Sequence, residues 1–389
     1  MSFKKQVEYY NNFSYTLLMQ QKLYETKEKQ KRALLVSLDS PKECDSCDSM
    51  NELRRLSETL ELDIAAHELI KIREKHPKFG MGSGKAEELA GKASELQADC
   101  IVFDWDLSPS QQRNWEDLTG IPVLDRQELI IQIFASRAAT REAELQVQLA
   151  ELQYRLPRLA HKYIDLSRQR GGRYGTKGAG ETLLETDRRK IEKRIQKLQK
   201  EIKEVSKQRQ VQRRQREKQG LPVCAIVGYT NAGKSSLLNA LTGASVLVED
   251  KLFATLDATT RRFEPAPGMP VLLTDTVGFI QRLPHSLIKA FKSTLEEAAY
   301  SSLLLHVLDL SDSSIDECYR TTVNVLSELG AGEIPVITVL NKFDMLENQD
   351  IDQPENIFSR FPDNVAVSAK TGFGLDILKN KIVNKIYGS

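Results

Sequence analysis

Apolar and polar positions change rhythm twice along this chain. From Arg32, short continuous apolar runs alternate with stretches of helical spacing. Residues 33–38 and 100–103 read as buried strands, 69–72 as a further strand and 122–124 as a last one. Residues 50–62, 84–96 and 108–118 carry helical spacing, and Ser108 followed by Pro109 is a helix start. The alternation predicts a small α/β domain over 32–125. Residues 1–31 form a weakly patterned N-terminal extension in which Tyr9, Tyr10, Phe13 and Tyr15 offer the apolar face of a short helix.

After Asp125 the rhythm becomes heptad. Leu145, Leu149, Leu152, Leu156, Leu159, Tyr163 and Leu166 step alternately by four and three, as do Ile191, Ile195, Leu198, Ile202 and Val205. A glycine-rich stretch, residues 171–181, separates the two seams. The expected form of 126–220 is an antiparallel helical hairpin with a loose tip, in a monomer. A parallel coiled-coil dimer is the competing reading, and the intervening loop favours pairing within the chain. Pro157 should interrupt and bend the first helix. Gly220-Leu221-Pro222 ends the second. Strand runs at 223–227, 271–273, 303–309, 336–340 and 365–367, with a final helix at 375–386, then predict a doubly wound α/β domain over 221–389.

Composition adds exclusions. The chain has 389 residues, 40% hydrophobic and 28% charged, which is ordinary for a globular protein. No apolar run reaches the ~18 residues of a membrane span, and the first thirty residues do not read as a secretory leader. Five cysteines, an odd and sparse count, point to a reducing compartment and a cytoplasmic location. The net charge of +1 hides an uneven distribution: residues 187–218 hold fourteen Lys or Arg against five Asp or Glu. Such a block marks a polyanion partner or a solvated helix face.

The candidate chemistry lies in the last domain. Gly228-Tyr229-Thr230-Asn231-Ala232-Gly233-Lys234-Ser235 fits the phosphate-binding loop between a strand and a helix. Its backbone N–H groups and the helix N-terminus face the phosphates. Lys234 should reach the β- and γ-phosphates, and Ser235 should hold Mg2+. Asp275-Thr276-Val277-Gly278 fits D-x-x-G: Asp275 binds Mg2+ through water, and the Gly278 N–H meets the γ-phosphate. Phe253-Ala254-Thr255-Leu256-Asp257 supplies the switch threonine, Thr255, also a metal ligand, with Thr259 and Thr260 as rivals. Asn341-Lys342-Phe343-Asp344 resembles the guanine-reading motif of GTPases. The Asp344 carboxylate can accept from guanine N1–H and N2–H2, a donor pair adenine lacks. Ser368-Ala369-Lys370 resembles the last such motif, with the Ala369 N–H on guanine O6. A P-loop ATPase or kinase is the alternative that Asp344 and Ala369 oppose.

The whole chain from Arg32 resembles the HflX family of translation-factor-related GTPases, close to Era and Obg. The resemblance rests on Gly80-Met81-Gly82-Ser83-Gly84-Lys85, Leu156-Pro157-Arg158-Leu159, residues 171–189, the phosphate loop and residues 252–262. It implies an N-terminal α/β domain, a helical hairpin and a GTPase domain. It also implies GTP and GDP as ligands, binding to the large ribosomal subunit and its rRNA, and splitting or rescue of stalled ribosomes under stress. The tip residues Arg173, Tyr174 and Lys177 then supply cations and an aromatic face for RNA. Phe279 stands where Ras-like enzymes place a water-orienting glutamine, which implies slow intrinsic hydrolysis stimulated by the ribosome. Asn231 resembles the asparagine with which related GTPases hold K+. A membrane-linked or signalling GTPase, peripheral on anionic lipid and using the hairpin for a protein partner, is the second functional reading.

Other features read as structural. Residues 80–85 are one position short of a phosphate loop, and Ala86 replaces the Ser or Thr that Mg2+ needs. Cys44 and Cys47 have metal-like spacing but no second pair. His161, His285 and His306 have no partnered nucleophile.

Overall fold

The computed structural model describes residues 30–38, 46–72, 76–162, 179–218, 220–243, 252–253, 256, 259–282, 297–348 and 358–388. The aromatic positions of the N-terminal extension, Cys44, His285, Ala254, Thr255, Asp257 and the tip residues Arg173, Tyr174 and Lys177 lie outside these. The chain divides into two compact units, Met1–Ser136 and Arg137–Ser389.

The first unit runs β1 (Arg32–Leu38), α1 (Ser46–Thr59), β2 (Asp63–Ile70), α2 (Ser83–Glu95), β3 (Cys100–Phe103), α3 (Pro109–Thr119), β4 (Val123–Asp125) and α4 (Arg126–Arg137). Its sheet is parallel with order β2-β1-β3-β4. Ser108 caps α3 as expected: its Oγ accepts from Gln111 N (3.2 Å) and its N–H donates to Gln111 Oε1 (3.0 Å), a reciprocal capping box. Trp115, fully buried, packs edge-on to Phe79 and donates to the Phe79 carbonyl at 3.0 Å. Two expectations are corrected. The second strand is Asp63–Ile70, not 69–72, because an edge strand buries only part of each side chain and needs no continuous apolar run. α4 was not anticipated, although Leu129, Ile130, Ile133 and Phe134 are buried.

The second unit begins with α5 (Arg141–Lys162) and α6 (Ala179–Lys218). Arg209 pairs with Glu142 at 2.8 Å and Arg194 meets Gln148 at 3.1 Å, so one index falls as the other rises and the helices are antiparallel. Leu145, Leu149 and Leu198 are buried between them, with Leu152, Ile195, Ile202 and Val205 packed around. Each fully buried leucine contributes about 1.5–3 kcal/mol, so the seam pairs within the chain. Pro157 does not interrupt α5, which runs on to Lys162. Arg158 folds back, donating to the Tyr154 carbonyl at 3.1 Å with its guanidinium 3.5 Å from the Tyr154 ring centre. Ala179, expected in the loop, already belongs to α6.

The unit continues through β5 (Val223–Gly228), α7 (Lys234–Thr242), β6 (Thr259–Phe263), β7 (Val271–Asp275), β8 (Leu303–Asp309), α8 (Ile315–Glu328), β9 (Val336–Asn341), a 3-10 turn (Phe343–Asn348), β10 (Asn364–Ala366) and α9 (Leu375–Tyr387). The sheet order is β10-β9-β8-β5-β7-β6, parallel except for β6. On one face Leu305, Val307 and Val339 meet Leu237, Leu241, Leu378 and Ile382 of α7 and α9. On the other, Leu308 and Leu340 meet Ile315 of α8 and Phe361. This is the expected doubly wound domain. β6 was not anticipated, since its sequence Thr-Thr-Arg-Arg-Phe has no apolar run and its two arginines are exposed.

His306 is buried in β8 and stacks on Tyr319 with ring centres 5.1 Å apart. Its Nε2 has no hydrogen-bond partner among the described residues. Burial, then the Lys234 charge, push its pKa from 6.5 down to about 3. The ring is therefore neutral in the fold, and its contribution to stability is complete above the unfolded pKa of 6.5. As pH falls through the window down to about 3, the unfolded chain takes up a proton that the fold refuses. Stability should drop by up to ~1.4 kcal/mol per pH unit in that window. His306→Gln should remove that part of the slope, read as a flatter dependence of the urea midpoint on pH.

Candidate functional site

The site forms where the parallel strands β5, β7 and β9 end, the edge at which doubly wound sheets bind ligands. β5 leads through Tyr229–Gly233 into α7. Gly228 cannot be another residue: its φ is +146°, and a Cβ would run into the Val307 carbonyl of β8. Gly233, at φ +90°, leaves the space that the Asn341 amide fills.

Lys234 opens α7 and is buried, its Nζ donating to the Tyr229 carbonyl at 2.7 Å. Burial pushes its pKa down to about 8 against the opposing pull of Asp275. A desolvated ammonium beside one carboxylate is an unfinished charge arrangement, and an anionic ligand completes it. Asp275 ends β7, fully buried, and accepts from Ser235 Oγ at 2.6 Å. A hydroxyl and a carboxylate side by side are the hard oxygen donors that Mg2+ prefers, so this pair fits that ion. Thr276 Oγ1 donates to the Ile226 carbonyl at 2.7 Å, holding the start of D-x-x-G against β5. A Cβ on Gly278 would fall 2.8 Å from Thr230 Cα and 2.9 Å from Lys234 Nζ. Phe279, in the water-orienting position, is buried at 1% exposure.

The loops after β9 and β10 are tied to the phosphate loop by Asn341 at the end of β9. Its Nδ2 donates to the Ala232 carbonyl (2.9 Å) and its Oδ1 accepts from Ala369 N (3.1 Å). Asp344 Oδ1 accepts from Ser368 Oγ at 2.6 Å, which aims the carboxylate. Lys342, at φ +61°, reaches Asp309 Oδ2 at 2.6 Å. Asp309 Oδ1 takes the N–H (2.9 Å) and hydroxyl (2.6 Å) of Ser311. Phe343 stacks on Phe373 at 4.7 Å.

The structure thus brings together the phosphate loop, Asp275–Gly278, Asn341–Asp344 and Ser368–Ala369. Phe253 and Leu256 are buried apolar side chains, at 2% exposure each. Of the rival threonines, Thr260 is engaged with Thr274 Oγ1 at 3.0 Å across the β6–β7 pair. Three participants were not read from the sequence: Asp309, the Ser368 hydroxyl and the Tyr229 hydroxyl. Asp309 left a signal, a carboxylate closing an apolar strand run. Lys85 of the 80–85 stretch pairs with Glu88 at 2.8 Å on the surface of the first unit.

This fold and loop set define a P-loop GTPase. Family models match three consecutive stretches: GTP-binding GTPase N-terminal over residues 47–135, GTP-binding GTPase Middle Region over 137–216 and 50S ribosome-binding GTPase over 223–342. The chain is 48% identical over 378 residues to the GTPase HflX of Akkermansia muciniphila, covering 94% of this chain and 86% of that one. Against the GTPase HflX of Escherichia coli K12 it is 45% identical over 315 residues, covering 80% and 73%. A GTP-binding protein of Sulfolobus solfataricus, solved with GDP, superposes with a TM-score of 0.48 at 25% identity, covering 92% and 99%. The chain belongs to the HflX family of GTPases, which bind and hydrolyse GTP.

Asp344→Asn should weaken GDP and GTP binding about 100-fold, the loss of paired hydrogen bonds to a charged acceptor. Ser368→Ala, which releases the Asp344 carboxylate and also removes the acceptor of the Thr371 N–H, should cost about tenfold. Equilibrium titration with a fluorescent GDP measures both.

Proposed function

We propose that this GTPase acts on the large ribosomal subunit, splitting or rescuing stalled ribosomes under stress, with GTP controlling its grip. The observation that carries the reading is the basic face of α6 on a packed antiparallel hairpin. Residues 187–218 hold fourteen cations against five acids. Arg188, Arg189 and Lys190 are exposed and make only local pairs with Glu192, Glu185 and Asp187. Such surface pairs are worth little, so the cations are available to rRNA phosphates. The description of the family model over 223–342, 50S ribosome-binding GTPase, supports the same partner. Arg173, Tyr174 and Lys177 at the tip would make the innermost RNA contacts.

In the reaction, Lys234 holds the β- and γ-phosphates and the Gly278 N–H meets the γ-phosphate. Ser235 and Asp275, with Thr255, would hold Mg2+, which neutralises charge on the transferred phosphoryl group. Asn341, Lys342, Asp344 and Ala369 seat guanine. Phe279 has no group with which to orient water, so intrinsic turnover is slow and the ribosome supplies the missing order. Asn231 would help hold K+ as a second cation beside the phosphates.

Among the described residues no helix is long and apolar enough to cross a membrane. Peripheral binding to anionic lipid is tested alongside the ribosome. The chain should pellet with large subunits in the presence of a non-hydrolysable GTP analogue, more weakly with GDP, and should not float with anionic liposomes. Alanine at Arg173, Tyr174 and Lys177 together should weaken pelleting at least about tenfold and lower its salt dependence. Flotation without pelleting overturns the proposal in favour of the membrane reading. Turnover should be faster in KCl than in NaCl at equal ionic strength; equal rates remove K+ from the scheme.

A further inference from the structure

The segment after Asp275 does not leave the phosphate loop. β7 pairs with β5 as far as Asp275, opposite Ile226. After Val277 and Gly278 the chain returns to the loop: Phe279 N–H donates to the Gly228 carbonyl (3.1 Å) and Thr230 N–H donates to the Phe279 carbonyl (2.8 Å). One side chain extends this pairing. The Tyr229 hydroxyl accepts from the Gln281 N–H at 2.7 Å. The chain between these bonds is thereby pressed onto the place where the γ-phosphate must go. Gly278 lies so close that a Cβ would come within 2.8 Å of Thr230 Cα and Cγ2 and within 2.9 Å of Lys234 Nζ. The closed arrangement also leaves Thr230 Oγ1 buried with no hydrogen-bond partner among the described residues. An unsatisfied buried hydroxyl raises the energy of that arrangement, so closure needs bonds that hold it.

We propose that Tyr229 is a positioning residue that sets the preference between GDP and GTP, its hydroxyl fastening the Gln281 backbone so that the segment after Asp275 stays closed on the phosphate loop. The inference rests on the guanine-nucleotide site described above. GDP fits beside the closed segment. A γ-phosphate between Lys234 Nζ and the Gly278 N–H needs the segment to draw back, and the Tyr229–Gln281 bond opposes that movement. Apparent affinity for GTP is lowered by the fraction of protein that is closed. Two neighbouring groups do different work. The Tyr229 carbonyl holds Lys234 Nζ, and the two backbone bonds set register, so only the hydroxyl can be removed without disturbing either.

Tyr229→Phe in the full chain tests this. Calorimetry with GDP and with a non-hydrolysable GTP analogue, at one Mg2+ concentration, gives the ratio of the two dissociation constants. The variant should shift that ratio about fivefold toward the GTP analogue, the equivalent of one net hydrogen bond. Amide exchange at Gln281 in the GDP complex should accelerate by a similar factor. An equal change for both, or a ratio unchanged within about twofold, overturns the proposal. A wild-type chain that binds neither nucleotide overturns the site reading itself and this inference with it.

Discussion

The nucleotide site depends on one buried amide. Asn341 spends its donor on the Ala232 carbonyl of the phosphate loop and its acceptor on the Ala369 N–H of the loop after β10. The loops it joins leave the sheet at different strands, and no backbone ladder connects them. Asn341 can reach because β9 pairs in register with β8 up to Asp309 opposite Asn341, and because Gly233 has no side chain where the amide sits. Burial makes the arrangement exacting. An amide with either end unmatched costs about 1–3 kcal/mol, so the loops are held at one separation.

Charge is handled differently in the two units. Arg126 is also buried, but it lies between Glu52 and Asp104, which raise its pKa against the opposing effect of burial. That cation is matched within the protein, and the cluster is a tie between α1, the end of β3 and α4. Lys234 has one nearby carboxylate, itself shared with Ser235, and burial wins: its pKa is depressed. The contrast separates a structural buried charge from one that awaits a ligand. Lys85 of the glycine-rich stretch 80–85 is, by contrast, a half-buried surface cation already paired with Glu88.

Strands buried on both sides were legible, since β1, β3, β5, β8 and β9 are short, predominantly apolar runs, with Ser37, His306 and Thr338 as the polar residues in their interiors. Edge strands were not. β2 carries His67 and Glu68, β6 carries Arg261 and Arg262, and both lie at sheet margins where one side of the strand needs no cover. The hairpin was legible from its seam, but the expected interruption at Pro157 is not seen, since α5 runs through it to Lys162. At the site, motif residues could be placed by spacing, Tyr229 and Ser368 among them, whereas Asp309 and the contacts of the Ser368 and Tyr229 hydroxyls arise across loops brought together only by the fold. Sequence distance hides such pairs: Tyr229 and Gln281 are fifty-two positions apart.

Those pairs decide where a signal between nucleotide and hairpin can travel. α6 ends at Lys218 and β5 begins at Val223, so the arm joins the base of the strand whose other end carries the phosphate loop. β5 itself is a poor messenger. It is paired on both sides, to β7 and β8, and from Cys224 to Gly228 it is buried. Coupling requires an element with two discrete arrangements, and a strand fixed on four sides has one. The continuation of β7 past Asp275 differs: it meets the phosphate loop through a few separate hydrogen bonds around a two-residue break. On the proposed reading of the site, residues 276–281 are the part on which a γ-phosphate would act, with β5 as the fixed frame.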